Sequence, residues 1–150
     1  GYTESLSLQS PEVAEWIRFA QGNDDVLPHF PLPLGDPGQA WDGGCRWAIP
    51  GRPGTGHRFE AACGRAGSRF FAGVLACAAL TDNEITGRQT YFAITPTTTR
   101  RTAEEYLTTG WFTGLVPVTV AVSPDSFADT ARSAQQSFPS PTPPDRRSSP

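Results

Sequence analysis

Apolar side chains recur at helical spacing in four stretches of the chain and alternate residue by residue in one, which predicts a protein of helices and strands. The first stripe is Val13, Trp16, Ile17 and Ala20. Ser10-Pro11-Glu12 opens it with an N-cap hydroxyl, a proline suited to the first helical position and a carboxylate at the positive end of the dipole. Gly22-Asn23 closes it, giving a helix over about residues 11–21. A second stripe, Phe59, Ala62, Cys63 and Ala66, predicts a short helix from His57 to Ala66 that stops at Gly67. Ser68 is the expected cap of a third helix, with Phe71, Val74, Leu75, Ala78 and Ile85 as its buried stripe up to Gly87. Its small residues Ala72, Gly73, Ala76, Ala78 and Ala79 allow a neighbour to approach closely, which marks it as the central helix.

Thr90 to Thr95 is rich in strand formers, with Tyr91, Phe92 and Ile94, and Pro96 is expected to stop it. From Val116 to Val122 the alternation is strict, with the valines on one face and Pro117, Thr119 and Ala121 on the other. Ser123-Pro124-Asp125 repeats the cap logic before a helix over about residues 124–137, with Phe127, Ala131, Ala134 and Phe138 buried.

Two stretches lack periodicity. Between Val26 and Gly56 prolines and glycines deny both helix and central strand, so this is a long connector. Its run His29-Phe30-Pro31-Leu32-Pro33-Leu34-Gly35-Asp36-Pro37 is too apolar for a free linker and is expected to lie extended along a surface. After Phe138 only a proline- and serine-rich tail remains, expected to be disordered. The chain thus divides into an N-terminal helix and connector over 1–56, a packed region over 57–138 and a tail over 139–150.

Composition narrows the function classes. The 150 residues carry a net charge of -3, and all 12 basic residues are scattered arginines, so no basic stripe offers a nucleic-acid footprint. The longest near-apolar run, Phe70 to Leu80, falls far short of the roughly 20 residues that span a bilayer. The start lacks the basic and apolar regions of a secretory signal, and the absence of methionine suggests an excerpt of a longer product. Cys45, Cys63 and Cys77 are too widely spaced for a zinc site, so no metal is expected. Cys63 and Cys77 fall on apolar helix faces and read as buried thiols in a reducing cytoplasm.

The search for chemistry excludes more than it finds. A nucleophile elbow, a P-loop and a dinucleotide fingerprint are all absent from the sequence. The acid pairs Asp24-Asp25 and Glu104-Glu105 read as solvated turns or helix starts, since adjacent carboxylates do not converge on one atom. His29 and His57 have no Asp or Ser at useful spacing and read as surface or packing residues. Arg100 and Arg101 follow a strand through a Thr-rich loop and so stand at the lip of a sheet. There a guanidinium either forks onto a carboxylate across an interface or is simply solvated. Trp111 and Phe112, flanked by glycines, are core residues or a substrate wall.

The order of elements resembles the C-terminal half of the condensation-domain superfamily, which shares its two-subdomain fold with chloramphenicol acetyltransferase. The residues that carry the likeness are Ser68, the helix end Ile85-Thr86-Gly87, Pro96-Thr97-Thr98-Thr99-Arg100 and Gly110-Trp111-Phe112-Thr113-Gly114-Leu115-Val116-Pro117. The match covers about residues 57–138. Together with the upstream Phe30–Pro37 run, the Gly110–Pro117 stretch looks like the polyketide-associated acyltransferases of actinobacterial lipid assembly.

The resemblance implies an α/β fold, an incomplete chloramphenicol-acetyltransferase-like subdomain with helices packed on a mixed sheet. It implies transfer of an acyl group from an acyl-CoA or acyl-carrier-protein thioester to a hydroxyl acceptor, with no cofactor. Gly114 stands where many peptide-synthetase domains have Asn, which favours ester over amide formation; a peptide-synthetase condensation fragment and a non-catalytic binding or scaffold module are the alternatives. The family's general base belongs to a His-His-x-x-x-Asp-Gly motif that this sequence lacks, so a chain inactive on its own is expected. The resemblance further implies that Arg100 pairs with that motif's Asp as an interface lock, and that Trp111, Phe112 and Gly114 line the substrate tunnel.

Overall fold

In the computed structural model the described residues are 6–33, 35, 54–100 and 102–138. They form, in order, α1 (Pro11–Gly22), α2 (Thr55–Arg65), α3 (Phe70–Thr86), β1 (Thr90–Thr98), α4 (Ala103–Tyr106), β2 (Thr113–Ala121) and α5 (Phe127–Gln136). The α/β class matches the sequence expectation. Most of the 26–56 connector, Cys45, Arg101 and the tail beyond Phe138 lie outside the described residues.

β1 and β2 pair as a two-stranded sheet. Thr99 N–H donates to Phe112 O at 2.9 Å near one end and Val122 N–H donates to Gln89 O at 2.9 Å near the other, which fixes one antiparallel register. In it Thr97 faces Gly114, Thr95 faces Val116 and Ala93 faces Val118. The register corrects the expectation that Pro96 ends its strand: β1 runs on to Thr98 because residue 96 points its backbone nitrogen away from β2, where no ladder bond is lost. Pro117 occupies the equivalent outward position in β2. The alternation holds from Val118 to Val122, with the valines buried and Thr119 and Ala121 exposed, but Pro117 of the other face is buried as well and Val116 is only half-buried; β2 begins three residues earlier, at Thr113.

The chain divides into two compact units. One contains α1, the greater part of β1, α4 and the first seven residues of β2. Here α1 lies on the Phe92 face of β1: Phe19 meets Phe92 edge-on at 5.5 Å between ring centroids, and Trp16 meets Phe19 at 5.8 Å. The buried residue of α1 is therefore Phe19, while Ile17 of the expected stripe is exposed. Ser10 does hold the N-cap position, but its hydroxyl caps no helical N–H and accepts from Ser7 N–H at 2.9 Å instead.

The second unit contains α2, α3 and α5, with α3 packed most extensively against α5. The buried residues of α3 are Ala72, Gly73, Ala76 and Ala79, whereas Phe71, Val74 and Ile85 are exposed. The small residues do mark where neighbours approach, on a face turned away from Phe71, Val74 and Ile85, while Leu75 and Ala78 of the expected stripe are half-buried. Cys77 is likewise exposed, and of the two described cysteines Cys63 is the buried one. Ser68 does not cap α3, which starts after Arg69; its hydroxyl donates to Cys63 O at 3.2 Å, and Arg69 N–H is bound by Gln135 Oε1 at 2.9 Å.

α5 also starts later than the Ser123-Pro124-Asp125 signal predicts, at Phe127. Ser126 Oγ accepts from Asp129 N–H at 3.2 Å. Ser123 serves another purpose: its N–H donates to Thr130 Oγ1 at 3.0 Å, and that hydroxyl donates back to Ser123 O at 3.2 Å. Ala131 and Ala134 are buried as expected, joined by Thr130. Among the described residues no helix is long and apolar enough to cross a membrane.

Candidate functional site

The loop that joins β1 to β2 gathers the residues singled out in the sequence. Thr99 is the last residue of β1's side to bond across the ladder, and Arg100 follows it with its own N–H on Thr98 Oγ1 at 3.2 Å. The chain then turns through α4, which is fixed by a capping box: Glu105 N–H donates to Thr102 Oγ1 at 3.3 Å and Thr102 N–H to Glu105 Oε2 at 3.1 Å. This is the role of the Glu104-Glu105 pair, in line with a helix start. The Glu104 carboxyl is held below the usual range, first by its own backbone N–H and then by Thr102.

Thr108 completes the turn by donating its hydroxyl to Glu105 O at 2.9 Å. Its carbonyl accepts from Arg100 Nη2 at 3.0 Å, and its hydroxyl receives a longer bond from Nη1 at 3.5 Å. The Arg100 guanidinium carbon lies 4.0 Å from the centroid of the Phe112 ring and 6.0 Å from that of Tyr106. The first distance is a close cation–π stack.

Both flanking glycines of Gly110-Trp111-Phe112-Thr113-Gly114 have a steric reason. A Cβ at Gly110 would stand 3.1 Å from Phe112 Cε2, and one at Gly114 would stand 3.0 Å from Thr99 Cγ2 and 3.7 Å from Thr97 Cγ2. Glycine thus lets the Phe112 ring fold back and the threonine methyls of β1 lie against β2. Pro96, Thr97, Thr98, Arg100, Gly110, Phe112 and Thr113 line an open groove of about 310 Å³. Among the described residues its lining holds one positive charge, three hydroxyls and no carboxylate. Trp111 does not join this group of lining residues and is 88% exposed.

Of the residues expected at a site, the structure brings Arg100 and Phe112 together, sets Gly114 in β2 against Thr97 and Thr99 outside the groove lining, and leaves Trp111 exposed. Thr108 escaped the sequence reading; the Thr102-x-x-Glu105 capping signature that builds its turn was the available signal. His29 and His57 are exposed. Among the described residues no cluster of His, Cys, Asp or Glu could hold a metal ion. Although Cys77 is exposed, partial desolvation of its thiol, with Cys63 adding to it, pushes its pKa up and so away from a reactive thiolate.

The α/β order that presents this arginine-bearing loop is shared with a solved acyltransferase structure. No family model matches the chain. It is 44% identical over 137 residues to the acyltransferase PapA3 of Mycobacterium tuberculosis, covering 91% of this chain and 29% of that protein. It is 51% identical over 133 residues to the trehalose-2-sulfate acyltransferase PapA2 of the same organism, covering 89% of this chain and 28% of the relative. A solved structure of PapA2 acyl transferase superposes with a TM-score of 0.75 at 46% identity, covering 91% of this chain and 30% of that one. The chain is homologous to the polyketide-associated PapA acyltransferases. It spans just under three tenths of the length of the curated relatives it matches.

Proposed function

We propose that this chain supplies part of the acceptor side of a thioester-dependent acyltransferase that esterifies a sugar or lipid hydroxyl. One observation carries the reading: Arg100, Gly110, Phe112 and Thr113 line one groove, in a chain 44–51% identical to proteins named as acyltransferases. The acceptor class follows from PapA2, named for trehalose-2-sulfate, and PapA1, named as a 2'-acyl-2-O-sulfo-trehalose (hydroxy)phthioceranyltransferase.

In this reading the guanidinium of Arg100 grips the Asp of a His-His-x-x-x-Asp-Gly motif, and Trp111, Phe112 and Gly114 border the acceptor tunnel. A base in that motif takes the proton of the acceptor hydroxyl, the oxygen attacks the thioester carbonyl of an acyl-CoA or acyl-carrier-protein donor, and the thiol leaves. The chain has no such motif, so it positions groups for the reaction without performing the proton transfer.

The test has two arms. The purified chain, given acyl-CoA and a sulfated trehalose, is expected to release free thiol at the background rate only, and enzyme-like turnover would refute the division of labour. In a longer protein that carries the motif, Arg100→Ala is expected to lower acyl transfer by about 10²-fold, the cost of a misplaced catalytic loop. Unchanged turnover there would remove the lock.

A further inference from the structure

An arginine at the lip of a sheet has a long stem and many rotamers, and a fork that must meet a planar anion works only when its plane is already set. Arg100 is restrained from three directions. Its backbone is tied by Thr98 Oγ1, one edge of its guanidinium is bound by the Thr108 carbonyl at 3.0 Å, and one face is covered by the Phe112 ring at 4.0 Å. The remaining donors belong to a side chain that itself lines the groove.

We infer that Phe112 and Thr108 are positioning residues that clamp the Arg100 guanidinium, the ring serving as a platform and the carbonyl as a stop. The inference rests on the proposed function only for what Arg100 grips; the clamp consists of groups of this chain alone. It separates two neighbouring aromatics that the sequence could not tell apart. Phe112 gives a ring face to the cation, so it acts through Arg100, whereas Trp111 is left exposed. It also explains Gly110, because a side chain there would press on Phe112 Cε2 and tilt the platform. Phenylalanine and tyrosine can each supply the ring face, and leucine cannot.

Nitrogen-15 NMR of the purified chain reads the clamp directly, through the Arg100 Nε–H and δ-methylene protons. Stacked on a ring face, they are expected well upfield of the chain's unstacked arginines. Phe112→Tyr should keep that shift and Phe112→Leu should abolish it, with the backbone amide spectrum of β1 and β2 otherwise preserved. An Arg100 signature already at the unstacked position in the unaltered chain, or one that survives Phe112→Leu, overturns the clamp. If Phe112→Leu fails to fold, Gly110→Ala serves instead: the added methyl should displace the ring and reduce the upfield shift, and an unchanged shift counts against the proposal. Acyl transfer plays no part in these measurements, so the clamp and the acyltransferase reading stand or fall separately.

Discussion

Gly73 lies where α3 meets α2, and replacing it by alanine probes that packing against an opposing backbone effect. A Cβ at residue 73 would stand 2.2 Å from Cys63 Sγ and 3.2 Å from Phe59 Cζ. Heavy atoms attract one another at about 3.5–4.0 Å, so the sulfur must move or the helices must part. Cys63 is 0% exposed, and its movement displaces other buried groups. Overpacking of this kind costs about 1–3 kcal/mol. Against it, exchanging glycine for alanine inside a helix gains about 0.5–1 kcal/mol. The expected balance for Gly73→Ala is a net loss of roughly 1 kcal/mol and at most about 2.5 kcal/mol. Urea unfolding followed by circular dichroism measures it, in four proteins: the unaltered chain, Gly73→Ala, Cys63→Ala and the double variant. With the sulfur gone, the alanine methyl has room and the helix gain survives, so Gly73→Ala should become stabilising in the Cys63→Ala background, a coupling of about 1–3 kcal/mol. If Gly73→Ala stabilises both backgrounds equally, α2 and α3 do not meet as described.

Three further outcomes follow from single contacts. Thr130→Val keeps the shape of a fully buried side chain but strands the N–H of Ser123, whose carbonyl keeps the Ser126 N–H at 3.0 Å, and should cost about 1–3 kcal/mol in the same unfolding assay. Pro96→Ala should change stability by less than about 0.5 kcal/mol because residue 96 faces away from the ladder, while Ala93→Pro, which removes an inward-facing N–H, should unfold the sheet. The carboxyl of Asp129 is held below its ordinary 3.8 by Ser126 first and by Arg132, 2.6 Å away. A depressed carboxyl stabilises the fold above its unfolded pKa and loses that contribution as pH falls through the folded one, so α5 should fray on acidification below about pH 4. Asp129→Asn should flatten that part of the helicity curve.

How much of this was legible in the sequence varied with the kind of signal. Glycines that end helices were reliable: Gly67 and Gly87 both adopt a φ of 74°, a conformation that side chains disfavour. Strict alternation located β2, because period two admits one reading of which side is buried. α3 was located but turned the wrong way round. From Phe70 to Leu80 it is apolar on every side, so periodicity identifies a helix without saying which face packs, and the bulk of Phe71, Val74 and Ile85 outweighed the small residues that are buried. Serine before a helix was also ambiguous, since the Ser68 hydroxyl donates back to Cys63 O and Ser123 is engaged through its own backbone by Thr130 Oγ1. At the site, Arg100 and Phe112 stood out by motif. Thr108 did not, because part of its hold on Arg100 comes from a carbonyl, which every residue possesses and no side-chain pattern aims.

The Gly110–Pro117 signature can then be understood position by position as the geometry that holds the arginine loop. Gly110 leaves room for the Phe112 ring, and the Phe112 carbonyl receives Thr99 N–H and so sets the register at the mouth of the sheet. Gly114 admits the methyls of Thr97 and Thr99, and Pro117 sits where β2 needs no donor toward β1. Each of these demands concerns the pairing of β1 with β2 or the platform beneath Arg100. The glycines are therefore constrained by the arginine they never touch: a side chain at residue 110 tilts the ring, and one at residue 114 pushes Thr99, the residue that precedes Arg100. A motif that looks like a substrate wall in sequence is, in the folded chain, first a support for Arg100.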